Sequence, residues 1–113
     1  MQVSTDRSFR QGDILLLPCS DIPLNAVPEP PEEGLVVLAR GETSGHRHVV
    51  GADHVTFFRE DGSGGGGYIR VTGPDPVDLS HEEHSPLAIP PGNYRVVRQR
   101  EYQPRAQPRR VMD

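Results

Sequence analysis

The chain reads as all-β, a small antiparallel barrel or sandwich forming a single domain. Twelve glycines and twelve prolines among 113 residues, with an apolar fraction of 34%, leave much material for turns and little for long helices. No segment sustains the 3.6-residue apolar period of an amphipathic helix. Short apolar runs instead recur between turn signals about every eight to twelve residues, which predicts roughly six to eight short strands.

The elements follow in order. Residues 1 to about 9 form a flexible N-terminus. After Gly12-Asp13, the run Ile14-Leu15-Leu16-Leu17 predicts a short, buried first strand ended by Pro18. Residues 20–34 hold four prolines and three glutamates and read as a loop rather than an element. Leu35 to Arg40 is the second strand, and Gly41 and Gly45 bracket a turn before a strand over His46 to Val50. Gly51-Ala52-Asp53 turns the chain, and His54 to Arg59 alternates apolar and polar residues. Asp61 to Gly67 reads as a flexible hairpin connection, because it has neither the lysine nor the following helix of a phosphate-binding loop. Tyr68 to Thr72 and Val77 to Leu79 are strands on either side of the Gly73-Pro74-Asp75-Pro76 turn. A short strand falls within Pro86–Gly92, and Asn93 to Tyr102 is the longest, closed by Pro104 and followed by a tail over about 104–113.

Composition excludes several kinds of chemistry. All twelve basic residues are arginines, so no lysine Schiff base, lysine base or phosphate-loop lysine can operate. The single Cys19 rules out a disulfide or a cysteine-based zinc cluster within one chain and suits a reducing compartment. No apolar run approaches the roughly 18 to 20 residues that span a membrane, and Met1–Arg7 lacks the apolar core of a secretion signal. A cytoplasmic protein without membrane attachment is the expectation. The net charge of -4 is uneven, because residues 93–113 carry six arginines against Glu101 and Asp113. That Arg-rich segment could touch nucleic acid, but the acidic body would repel phosphate, so a solvated tail is the preferred reading.

The sharpest functional signal lies in the histidines. Four of the five fall into two pairs, Gly45-His46-Arg47-His48 and His81-Glu82-Glu83-His84. Side chains at i and i+2 of a strand share a face, and those at i and i+3 of a tight turn converge, so each pair aims two imidazoles at one place. If the pairs meet, His46, His48, His81 and His84 supply enough nitrogen for one divalent metal such as zinc, iron, manganese, nickel or copper. Glu82 and Glu83 are then the candidate catalytic carboxylates, beside the metal as an acid or an open-site base, with a small molecule as substrate. His54 follows a separate turn and falls outside the site.

The runs Arg10-Gln11-Gly12-Asp13-Ile14-Leu15, Gly41 to His48, His81 to Pro86, Pro90-Pro91-Gly92-Asn93-Tyr94 and Arg98-Gln99-Arg100-Glu101-Tyr102 resemble a family of small uncharacterised bacterial and phage-associated proteins. The resemblance spans roughly residues 10–103 and implies no activity. A looser likeness is to cupins, metal-binding β-barrels whose first motif follows HxH with a carboxylate. Asp53 takes that carboxylate position here, whereas His81 and His84 precede the Pro-Gly turn that a cupin's later histidine follows.

Two other functions compete with a metal centre. One is a metal-free histidine phosphoesterase, with Arg98 or Arg100 for the phosphate. The other is a non-enzymatic interaction or assembly module, phage-related in context, acting through the Arg-rich last strand. That strand carries Tyr94, Val96, Arg98, Arg100 and Tyr102 on one face and Arg95, Val97, Gln99 and Glu101 on the other. Such mixed faces suit a sheet edge that pairs with a second copy, so a homo-oligomer is expected.

Overall fold

The computed structural model describes residues 7–41, 45–60 and 66–99. Ten strands lie within them: β1 (Phe9–Gln11), β2 (Ile14–Cys19), β3 (Val27–Glu29), β4 (Leu35–Arg40), β5 (Arg47–Gly51), β6 (Val55–Arg59), β7 (Gly66–Val71), β8 (Val77–Ser80), β9 (Leu87–Ile89) and β10 (Gly92–Arg98). A single 3-10 turn, Ala52–His54, joins β5 to β6, and no α-helix occurs among the described residues. No helix there is long and apolar enough to cross a membrane.

Every strand pair is antiparallel, in a six-stranded sheet ordered β1-β2-β10-β7-β6-β3 and a four-stranded sheet ordered β4-β5-β8-β9. The all-β class and the sandwich form therefore hold, and neither sheet closes into a barrel. Period-two alternation decides which side chains enter the core. Ile14 and Leu16 of β2, Tyr94 and Val96 of β10 and Ile69 and Val71 of β7 point inward from the larger sheet, while Arg70 and Arg95 stay exposed. They meet Val36, Leu38, Val50, Leu79 and Ile89 of the smaller sheet. Each fully buried Leu or Ile in this layer contributes about 1.5–3 kcal/mol through removal of apolar surface from water.

Five expectations change. The run at Ile14 is the second strand, because Phe9–Gln11 already pairs with it through a two-residue turn. That strand also continues through Pro18 to Cys19. The proline is tolerated because β1 ends opposite Leu16, so Pro18 has a strand neighbour only in β10. The Pro-rich stretch 20–34 contains β3, a strand with Pro28 at its centre, and it survives because β3 lies at a sheet edge and pairs only with β6. Gly66 and Gly67 belong to β7 rather than to the hairpin connection, whose residues 61–65 lie outside the described ones.

The fifth correction concerns the place of the last strand in the sheet. β10 is an interior strand, hydrogen-bonded to β2 on one side and β7 on the other, because its Tyr94 and Val96 complete the core. The edge on which pairing with a second copy was expected is thus occupied. Arg100 to Tyr102 and the tail beyond lie outside the described residues, as do residues 1–6, and Phe9 of the expected flexible N-terminus is part of β1.

Gly67 shows how tightly β6 and β7 approach. A Cβ added there would lie 2.2 Å from the Phe58 carbonyl oxygen and 2.9 Å from the Phe57 ring. Gly67→Ala is expected to destabilise the fold by about 1–3 kcal/mol through overpacking, read from urea denaturation. Gly51→Ala, where a Cβ meets nothing within 4 Å, is expected to stay within about 0.5 kcal/mol of the parent.

Candidate metal centre

The site is created by strand register. β5 and β8 pair with Val50 opposite Leu79 and Val49 opposite Ser80. One step further brings His48 opposite His81, and the two ring centroids lie 4.3 Å apart. The next step brings Arg47 opposite Glu82, where the Arg47 backbone N–H donates to Glu82 Oε1 at 2.8 Å. His48 shares a face with the core residue Val50, as the HxH spacing predicts, so it takes the last inward position at one end of the sandwich. His46 lies one residue before β5 rather than within it.

His81 is the hub of the cluster. Its ring lies 5.5 Å from that of His46, 4.3 Å from that of His48 and 4.6 Å from that of His84. His48 and His84 face each other nearly parallel at 6.3 Å. Both predicted pairs therefore come together. His54 does not join them; its ring packs over Gly73. Asp53 lies exposed in the 3-10 turn that follows β5, beyond the end opposite His46.

Three groups stand out as a ligand set. His46, His81 and Glu82 each offer a donor atom, and the three atoms lie within 4.8 Å of one another. Bonds of about 2.1 Å place tetrahedral neighbours roughly 3.4 Å apart, so closing on an ion takes a contraction of up to about 1.4 Å. Glu82, placed beside the metal from its sequence position, thus has its carboxylate among the donors. The Arg47 N–H holds that carboxylate below the usual pKa range, which keeps it ionised. Glu83 lies 3.7 Å from His46 Nδ1 through its carboxylate, and its backbone N–H donates to His81 Nδ1 at 3.0 Å. Ligation through that nitrogen would exchange this bond for a metal bond, and water can take over the N–H in so exposed a turn.

Beneath the cluster lies a polar framework that the motif reading did not assign. Gln11 is only 3% exposed. Its Nε2 donates to the Leu79 carbonyl at 2.8 Å and the Ser85 carbonyl at 2.9 Å, and its Oε1 accepts from His48 Nδ1 at 2.9 Å. Asp13 Oδ1 lies 3.2 Å from His48 Nε2, while Oδ2 accepts from Arg98 Nε at 3.0 Å. Arg98 also donates to the Arg40 carbonyl at 2.6 Å, so the arginine considered for phosphate is engaged inside the fold. Gly12 and Asp13 form the β1–β2 turn with a positive φ of 60° at Gly12 only, the pattern of a two-residue hairpin with Gly first. A Cβ on Gly12 would lie 2.6 Å from His84 Nε2, so a second reason for glycine is room for that ring. The Gly-Asp dipeptide between two short strands was the available signal for this turn. Nothing local marks Gln11 or Arg98 as partners.

Comparison with known proteins identifies a family and no more. The profile of the domain of unknown function DUF8820 matches residues 10–99. No curated protein and no solved structure matches the chain significantly.

The resolved pKa shifts of the cluster all point the same way. Burial and the neighbouring His81 push the His48 pKa down against the pull of Asp13. Burial works to raise Asp13, but the Arg98 hydrogen bond and charge outweigh it and leave its pKa low. A group whose pKa is lower folded than unfolded takes up its proton more readily in the unfolded chain, so acidification favours unfolding. Metal-depleted protein is expected to lose stability as pH falls from about 7 to 5 through the histidine range, and further as the carboxylates titrate. Urea midpoints across that range check this. His48→Gln is expected to flatten the upper part of the profile, and an unchanged profile in that variant would contradict the assignment.

Proposed function

The chain belongs to the family of the domain of unknown function DUF8820, whose name carries no activity, and from the site itself we propose that it binds a divalent transition metal through His46, His81 and Glu82. The single observation behind this reading is the mutual approach of those three donors to within 4.8 Å. Two imidazoles and one carboxylate are the donor set of catalytic zinc sites and of two-histidine, one-carboxylate iron(II) sites. Three protein ligands leave a position open, and the open side faces solvent because Glu82, Glu83 and His84 are all exposed. A metal held so would lower the pKa of a bound water or polarise a small substrate, which supports a metal-dependent enzyme over a closed structural site. Glu82, kept ionised, serves as ligand rather than acid, and Glu83 beside His46 is the carboxylate placed to accept a proton from metal-bound water.

Chelator-stripped protein titrated calorimetrically with zinc, and anaerobically with iron(II), tests the reading. Saturable binding is expected. His81→Ala should weaken it by at least about 100-fold, more than the roughly 10–100-fold typical of a residue that only orients a ligand. Affinity should also fall below about pH 6.5, because a metal competes with protons for imidazole nitrogen. Unaltered affinity in both His46→Ala and His81→Ala would exclude this donor set.

A further inference from the structure

The strand register of the larger sheet decides which side chains share its outward face. Arg95 of β10 stands between Leu17 of β2 and Tyr68 of β7, and Tyr68 stands beside Phe58 of β6. Two residues along, Cys19, Asn93, Arg70 and Thr56 form the next row. Two residues in the other direction, Arg10 of β1 stands opposite Leu15, and Leu15 opposite Val97. Arg70, Arg95 and Arg10 therefore lie on one diagonal. Arg70 and Arg95 are diagonal neighbours about 7–8 Å apart. At about 4.8 Å per strand and about 3.4 Å per residue, the whole stripe runs about 20 Å.

All three arginines are exposed, and none of the outward positions on the described strands of this sheet is a carboxylate. Glu60, just past β6, comes only within 3.9 Å of Arg95, and the two side chains are 39% and 52% exposed, so water and salt weaken that pair. Arg10 donates to Gln99 Oε1 and Arg70 Nε to Asn93 Oδ1, each bond using one of the five donors of a guanidinium. The Arg70 guanidinium lies over the Phe58 ring, 5.2 Å from its centroid. A guanidinium so placed offers its outer plane to a further π-system, as arginine does for nucleobases.

Charge and cover together select the partner. Leu15, Leu17 and Val97 are half-buried and Tyr68 is buried, so little apolar surface remains for a protein to cover, whereas the guanidinium groups stand in solvent. A polyanion with flat apolar groups fits such a face. The net charge of -4 opposes it only weakly, because acids more than about 8 Å away are largely screened at physiological ionic strength. We propose that this face binds single-stranded nucleic acid, with Arg95 and Arg10 on phosphates and a base stacked on the Arg70 and Phe58 pair. A single strand suits it better than a duplex because its bases are open to a π-face. The surface is separate from the Arg-rich C-terminal segment and uses none of the residues assigned to the metal.

Fluorescence anisotropy of the full chain with a labelled single strand of about 20 nucleotides tests it, in chelator so that metal plays no part. Saturable binding is expected. With three phosphates neutralised, the slope of log affinity against log salt should be roughly -2, a loss of about 20-fold between about 50 and 200 mM salt. Arg95→Gln should weaken binding and reduce that slope by about 0.7. Phe58→Leu should weaken it by at least about 5-fold at unchanged slope, since stacking rather than charge is lost. Arg59→Gln, on the opposite side of β6 and paired with Glu29 at 2.8 Å, should match the parent. Urea midpoints establish that each variant is folded. A dissociation constant above about 0.1 mM at low salt overturns the proposal. Equal affinity for duplex DNA, poly-L-glutamate or anionic vesicles also overturns it, because the face would then be a general anion surface. Binding that survives Arg70→Gln with Arg95→Gln, but is lost when Arg105, Arg109 and Arg110 become Gln, overturns it too by moving the contact to the C-terminal segment.

Discussion

The buried amide of Gln11 is the interaction on which the architecture of the site depends. It projects from β1 of the six-stranded sheet and binds the Leu79 carbonyl of β8 and the Ser85 carbonyl in the following turn, both belonging to the other layer. One side chain therefore ties the two sheets together at the end where the apolar core stops. It also sets the ring orientation of His48. Each buried polar group left without its partner costs about 1–3 kcal/mol, so the three bonds stand or fall as a unit. An apolar residue at this place would fill the volume but would leave two carbonyls and an imidazole unsatisfied.

Around that amide the site divides into a rigid half and an accessible half. His48 is 4% exposed, sits within a paired strand and is flanked by Asp13, itself anchored by Arg98 from the central strand β10. Glu82, Glu83 and His84 lie in an exposed turn between β8 and β9. Groups on strands hold their geometry, whereas groups on a solvent-facing turn can close on an ion and exchange with water. His81 joins the halves, since it lies at the end of β8 and contacts all three other imidazoles.

How much of this could be read from the residues depends on the range of the interaction. Strands at Leu35 to Arg40 and Val77 to Leu79, and the common inward face of His48 and Val50, follow from local period-two patterning. The meeting of the two histidine pairs needed only one further fact, the β5–β8 register, and the spacing of the pairs made that meeting worth expecting. β3 was hidden because its proline is acceptable only at an edge, and edge positions are a property of the whole sheet. β10 was misplaced for the same reason. Its arginines suggest solvent, yet Arg98 turns inward to Asp13 across 85 positions of sequence. Gln11, Asp13 and Arg98 form a network whose members have ordinary neighbours along the chain and unusual ones in space.

That network also explains why an acid-rich domain can keep a carboxylate against its histidines without simply protonating them. Asp13 alone would draw a proton onto His48 by attraction. Arg98, donating to the far carboxylate oxygen, offsets part of that attraction, while burial and His81 act on His48 in the opposite direction and outweigh the remainder. The imidazole is thus biased toward its neutral form although a carboxylate stands 3.2 Å away. A proton and a cation would compete for the same lone pair, and burial and neighbouring positive charge disfavour both. Moving Arg98 away would let Asp13 pull harder on the His48 proton without changing a single ring contact. For that reason an arginine of the central strand, which touches no histidine through any bond described above, bears on the charge of His48 through Asp13.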